Sequence, residues 1–215
     1  MFSYDIKGAI FDVDGTILDS MHVWTLATSS FYSENNLVLS QKEQLLFQSM
    51  TLEESLPYII KTHNLKMTVE DVEKSLKSFI SNAYKNEIQP KPYCIQFIKG
   101  LYKKGIKIAI ATSGYPEFCK AAFERLGISE YISAYTLSSE VGVNKSHPDV
   151  YLLAASRIAI NPDECMVFED ILSGIKGAKK GHFHTCAVYD NSNKHETDKL
   201  KREADIYITS WKDLL

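Results

Sequence analysis

Residues 7–16 read Lys7-Gly8-Ala9-Ile10-Phe11-Asp12-Val13-Asp14-Gly15-Thr16, an apolar run that stops on two acids and a Gly-Thr pair. The run is too short for a helix. Its apolar character is continuous rather than alternating, which predicts a strand covered on both faces. Four further segments share that character: residues 106–113 (IKIAIATS), 165–170 (CMVFED), 184–190 (HTCAVYD) and 205–210 (DIYITS). Helical stripes separate them. Residues 93–104 place Ile95, Ile98, Leu101 and Tyr102 on one stripe before Gly105, and residues 118–126 end at Gly127. Residues 148–158 start with a proline in the first turn, residues 161–164 read as a turn, and residues 171–180 run up to Gly181. Strand and helix alternating in this order predict an α/β fold, a doubly wound parallel sheet.

One segment breaks the alternation. From Ile17 to Asn86 the only signals are helical. Ser40-Gln41-Lys42-Glu43 and Thr51-Leu52-Glu53-Glu54 are capping boxes, each pairing a hydroxyl with a glutamate three residues on. Thr68 caps a helix in which Val72, Leu76, Phe79, Ile80 and Ala83 form one apolar face. The expected organisation is therefore a sheet domain of residues 1–16 and 91–215 and an inserted helical domain of residues 17–90. Pro90 and Pro92 mark the return. The charged residues 194–205 read as a solvated surface helix.

Composition narrows the function classes. The chain has 215 residues, 45% hydrophobic and 24% charged, the balance of a globular protein. A net charge of −3 provides no field to recruit nucleic acid or an anionic membrane. No apolar run approaches the ~20 residues that cross a bilayer. The opening MFSYDIKGAIFDVDGT lacks the basic start and apolar core of a signal peptide. Cys94, Cys119, Cys165 and Cys186 lie far apart with no CxxC, so neither a zinc site nor a disulfide framework is indicated. The expectation is a soluble, reduced, cytoplasmic protein without nucleic-acid or membrane partners.

Chemistry concentrates at the strand ends. In an open parallel sheet, ligands bind beyond the carboxyl ends of the strands, where strand order reverses. Two acids two residues apart face opposite sides of an ideal strand. A turn after Asp12, which Gly15 permits, brings Asp12 and Asp14 into one crevice. Buried carboxylates repel each other, and a divalent cation removes that objection; Mg²⁺ prefers such oxygen ligands. Read alone, the same residues serve equally as a surface turn, because Asp-Gly is a common turn pair. Ala111-Thr112-Ser113-Gly114 follows the second strand, where a hydroxyl and free backbone N–H groups suit a phosphate oxygen; a simple helix cap is the alternative. Lys145 could neutralise both a carboxylate nucleophile and a transferring phosphoryl group, or be a solvated loop charge. Glu169-Asp170 closes Met166-Val167-Phe168, and either completes a metal site or caps the next helix.

Acid pair, hydroxyl, lysine and acid pair in this order, together with the helical insertion, resemble the haloacid dehalogenase superfamily. The similar branch has a small helical cap after the first motif and includes β-phosphoglucomutase, phosphoglycolate phosphatase and sugar-phosphate phosphatases. The resemblance covers essentially the whole chain. It implies Asp12 as a nucleophile that forms an aspartyl-phosphate, and Asp14 as the general acid and base. Asp14 also implies phosphoryl transfer, since members that cleave carbon–halogen bonds carry other residues there. Thr112 would hold the phosphoryl group, with Ser113 and Gly114 beside it, and Lys145 would neutralise charge. Asp170 would bind Mg²⁺ directly and Glu169 would be a ligand or its partner, while Asp14 would contribute its backbone carbonyl.

The sequence departs from the family pattern in two places. The third motif is Lys145-Ser146-His147-Pro148 rather than Lys-Pro-x-Pro, so one rigid proline is missing; Lys145 is expected to keep its position. His147 reads as a cap or solvent-facing residue, with a ligand or proton-shuttle role as the alternative. Residues 48–54 contain no basic side chain, and Leu52 falls where mutase-like members carry an arginine for the non-transferring phosphate. Lys61 and Lys66 read as surface charges. Met21, His22 and Trp24 are either substrate contacts or cap packing. The expected function is Mg²⁺-dependent hydrolysis of a small phosphorylated metabolite by a monomer or weak homodimer. A phosphomutase and a non-catalytic binder of phosphorylated ligands are the alternatives.

Overall fold

The computed structural model describes residues 5–47, 50 and 52–215. The chain runs β1 (Gly8–Phe11), α1 (Met21–Glu34), α2 (Gln41–Phe47), α3 (Leu52–His63), α4 (Val69–Asn86) and α5 (Cys94–Lys103). It continues through β2 (Lys107–Thr112), α6 (Pro116–Arg125), β3 (Ala134–Leu137), α7 (Ser138–Val141) and α8 (Asp149–Ile158). The last elements are β4 (Cys165–Glu169), α9 (Leu172–Lys180), β5 (His184–Val188), α10 (Thr197–Glu203) and β6 (Ile206–Ile208). Residues up to Asp19 and Gln89–Leu215 form one compact unit, and Ser20–Ile88 form a second.

Among the described residues, six strands make one parallel sheet in the order β3-β2-β1-β4-β5-β6. Strand order therefore reverses between β1 and β4. Alternate residues of the central strands face opposite layers. Ile10, Ala109 and Val167 pack with Val150, Tyr151, Ala154 and Ile158 of α8. On the other face Phe11 stacks on Phe168 with centroids 4.5 Å apart, and both rings adjoin Phe97 and Trp211. Both faces are thus covered, which is why the strands read as unbroken apolar runs. Burying such a ring stabilises by about 1.5–3 kcal/mol.

The sequence missed β3 and α7. The AYTL strand lies at the sheet edge and is mostly half-buried, so it lacks an apolar run. Residues 194–205 form the end of a 3₁₀ segment and then α10, rather than one helix. The helix before β5 ends at Gly181, but the left-handed residue is His182, at φ 63°. The sheet unit also holds the chain to Asp19. The Asp19 N–H donates to the Gln89 carbonyl (3.0 Å), and the Lys91 N–H to that of Ile17 (2.8 Å).

In the helical unit, Ser40 and Thr68 both close capping boxes, with Glu43 and Asp71. Thr51 of the third expected box lies outside the described residues. Val72, Leu76, Ile80 and Ala83 are buried on α4, but Phe79 is 43% exposed because it falls at the margin of that stripe. The Trp24 indole N–H donates to the Tyr84 hydroxyl (2.9 Å), joining α1 to α4. All four cysteines are buried and free. No described helix is long and apolar enough to cross a membrane.

Candidate active site

The site lies at the sheet's carboxyl edge, beside the reversal point. Phe11 pairs with Phe168, and the Asp12 N–H donates to the Phe168 carbonyl (3.0 Å), which sets Asp12 next to Glu169 and Asp170. Register also pairs Phe11 with Ile110, which brings Thr112 to the neighbouring strand end. Asp12, Thr112, Lys145, Glu169 and Asp170 are all buried.

Lys145 links the two strands. Its ammonium donates to Asp12 Oδ1 and, over 2.6 Å, to Glu169 Oε1. Burial by itself would lower the lysine pKa; the two carboxylates outweigh it and hold the group protonated, with its pKa raised. The loop compensates for the missing proline with an Asx turn. The Ser146 N–H and hydroxyl both donate to Asn144 Oδ1, at 3.1 and 2.6 Å, the first a bond that proline could not make. Lys180 caps the Ser146 carbonyl at 2.9 Å. His147 is exposed, its Nδ1 3.3 Å from the Ser146 hydroxyl.

Among the described residues, one acidic group could hold a metal ion: Asp12, Glu169 and Asp170, with ligand atoms within 4.8 Å of one another. The Asp14 carboxylate, half-buried, is outside it. Three carboxylates face one ammonium, so the fully ionised cluster carries two negative charges that Lys145 does not balance. Burial, with Lys145 opposing and the Asp12 charge adding, pushes Glu169 up to about 7. Burial likewise raises Asp170 well above the carboxylate range, and the charges of Asp12, Glu169 and Asp190 add to it. The residues fit a divalent cation. All donors are oxygens, the charge deficit is two, and Glu169 Oε2 is buried without a hydrogen-bond partner. Glycines also line these carboxylates. A Cβ on Gly15, whose φ is +86°, would sit 2.4 Å from Asp170 Oδ2, and one on Gly174 would sit 2.6 Å from the Glu169 carboxyl carbon.

At the end of β2 the Thr112 hydroxyl accepts the Gly114 N–H at 3.0 Å. That bond engages the Gly114 N–H and leaves the Thr112 proton to be donated elsewhere. Ser113 is exposed, its hydroxyl 2.9 Å from that of buried Ser138. The family model described as haloacid dehalogenase-like hydrolase matches residues 9–188, a span that holds Asp12, Asp14, Thr112, Lys145, Glu169 and Asp170. The chain belongs to the haloacid dehalogenase-like hydrolases. It is 23% identical to the phosphorylated carbohydrates phosphatase of Thermotoga maritima, over 81% of each chain. It is 24% identical to the fructose-1-phosphate phosphatase of Escherichia coli, over 80% of this chain and 90% of that one. The structure of CbbY from Rhodobacter sphaeroides in complex with phosphate superposes with a TM-score of 0.85, at 20% identity, over 97% of this chain and 96% of that one. This last likeness establishes the shared fold.

Around this acidic cluster stand further residues to which the sequence assigned no role. The Thr16 hydroxyl donates to Asp170 Oδ1 (3.3 Å) and the Asn193 amide to Asp170 Oδ2 (2.7 Å). Asn193 is held through Asp190: its N–H donates to the Asp190 carbonyl (3.2 Å), and the Asp190 carboxylate pairs with Lys91 at 2.7 Å and accepts the Ser192 N–H at 2.8 Å. The Tyr151 hydroxyl donates to Glu169 Oε1 at 2.8 Å. None of these has a local signal beyond the presence of a polar group on a core helix or in a turn. In the helical unit Met21 and Trp24 are half-buried, and His22, Lys61 and Lys66 are exposed. The side chain of Leu52 lies outside the described residues.

Proposed function

We propose that this hydrolase cleaves a small phosphomonoester, a phosphorylated carbohydrate or a similar metabolite. In this reading Asp12 carries the phosphoryl group, and Asp12, Glu169, Asp170 and the Asp14 backbone carbonyl hold Mg²⁺. The observation that carries it is the Lys145 ammonium shared by Asp12 and Glu169 at the reversal point. The two phosphatase relatives support the substrate class. A bound dication supplies charge compensation where a dianionic phosphoryl group meets a carboxylate.

The chain's own residues do the rest. A carboxylate oxygen of Asp12 bonds to phosphorus as the ester O–P bond breaks in line, and Asp14 gives its proton to the leaving alkoxide. Ionised Asp14 then takes a proton from a water whose oxygen bonds to phosphorus. The Asp12 O–P bond breaks, inorganic phosphate leaves, and both acids are restored. Lys145 offsets the equatorial charge, and Thr112 donates its hydroxyl proton beside the Ser113 backbone. Residues 48–54, Gln48 to Glu54, carry no Lys or Arg to grip a second phosphate, which supports water over a sugar hydroxyl as acceptor. The first motif's paired acids speak against a mere binding module.

A panel of phosphorylated carbohydrates, incubated with Mg²⁺ or with EDTA, tests this directly by released phosphate and isomerised product. Release is expected with Mg²⁺ only, and Asp12→Asn should abolish it while leaving the circular dichroism spectrum unchanged. Undiminished turnover in Asp12→Asn would remove its nucleophilic role; isomerisation without phosphate release would make the enzyme a mutase.

A further inference from the structure

Glu169 is served unevenly. Both of its donors, the Lys145 ammonium at 2.6 Å and the Tyr151 hydroxyl at 2.8 Å, meet the same oxygen, Oε1. Its Oε2 is buried and receives no hydrogen bond. Asp170 differs, since Thr16 and Asn193 serve one oxygen each. Burying a carboxylate oxygen without a donor is costly unless another positive partner completes it. The carboxylate is also packed closely by α9, since a Cβ on Gly174 would lie 2.6 Å from its carboxyl carbon and 2.8 and 2.9 Å from Oε2 and Oε1.

Tyr151 is fully buried on the sheet-facing side of α8. Packing alone asks only for a ring at this position, where it meets Phe183 edge-on at 6.2 Å. A phenol buried there needs an acceptor, and its acceptor is one of the three acids. We infer that Tyr151 is a positioning residue for the divalent cation: by sharing Oε1 with Lys145 it fixes the Glu169 carboxylate and reserves Oε2 for the metal. Lys145 cannot do this alone, because its ammonium also serves Asp12 and is drawn along with it. The hydroxyl approaches from a separate element and fixes the carboxylate's rotation. Partners that orient metal ligands in this way typically change metal affinity by about 10–100-fold. The inference rests on the cation reading above and concerns Glu169 alone.

The test is a calorimetric titration of chelator-treated full-length chain with MgCl₂, comparing wild type with Tyr151→Phe and Phe183→Leu. Tyr151→Phe keeps the ring and removes only the donor. Phe183→Leu disturbs the same packing without touching Glu169, and it also reads out any general loosening. The expected result is a dissociation constant raised about 10–100-fold in Tyr151→Phe and unchanged in Phe183→Leu. In phosphate-release assays, the Mg²⁺ concentration for half-maximal rate should rise in parallel for Tyr151→Phe. Equal affinities in wild type and Tyr151→Phe would overturn the inference and leave the cation site standing. An equal loss in Phe183→Leu would reduce Tyr151 to packing and overturn it as well. A wild type that takes up no Mg²⁺ would remove both the inference and the cation reading.

Discussion

At the scale of single residues, the site is built from side chains that depend on one another for charge. Lys145 is buried because two carboxylates accept it, and those carboxylates tolerate burial because Lys145 is there. Gly15 shows how little room remains. At φ +86° an L-residue is strained by about 1–2 kcal/mol, and its Cβ would lie 2.4 Å from Asp170 Oδ2, so Asp170 must move. Gly15→Ala should therefore fold, with a melting temperature lower by about 2–8 °C, taking 2–4 °C per kcal/mol for a chain of this size. Its phosphate release should fall by about 100-fold, the usual effect of a displacement near 1 Å. Thermal denaturation and steady-state assays on the same preparation check both figures. Ser146 illustrates a substitution that keeps its loop by other means, with an Asx turn in place of proline stiffness.

At the scale of elements, the helical unit carries its own test. Glu43, near the start of α2, closes the Ser40 capping box, meets His63 of α3 at 2.6 Å and accepts the Tyr32 hydroxyl of α1 at 3.1 Å. Burial would raise its carboxyl; the bonds from Ser40, His63 and Tyr32 outweigh that and bring it to about 2, below the ordinary 4.5. A depressed carboxyl contributes stability that is present above its unfolded value and disappears as pH falls through the folded one. Urea unfolding of wild type and Glu43→Gln should thus differ most at pH 5 and above. The difference should close between about pH 4.5 and 2; a difference that widened there would contradict this arrangement. Elements also explain the omissions of sequence reading. β1, β2, β4 and β5 were legible because both faces are buried, whereas β3 at the edge is only partly covered and resembles a loop.

At the scale of the whole molecule, the parallel order β3-β2-β1-β4-β5-β6 places the first and fourth motifs on adjacent strands. Asp12 and Asp170 are 158 positions apart in the chain and within one cluster in space. A cation bound only by the folded cluster must stabilise the chain by mass action, about 2.7 kcal/mol at a hundredfold excess over its dissociation constant. Chelator-treated chain should accordingly gain about 5–10 °C in melting temperature with MgCl₂ and much less with NaCl of equal ionic strength, as differential scanning fluorimetry would report. An equal response to both salts would show screening rather than a site. By itself, the sequence determined the α/β class, marked the helical insertion and, through the family resemblance, offered Asp12, Thr112, Lys145, Glu169 and Asp170 as candidates. The fold class and the insertion are written in local periodicity, and the candidates stand where apolar strands stop. Only the tertiary structure decided that Tyr151, Thr16 and Asn193 serve the two acids of β4, and that Gly114 spends its N–H on Thr112. A hydrogen bond between distant segments depends on register and packing, and neither leaves a mark in the spacing of residues along one chain.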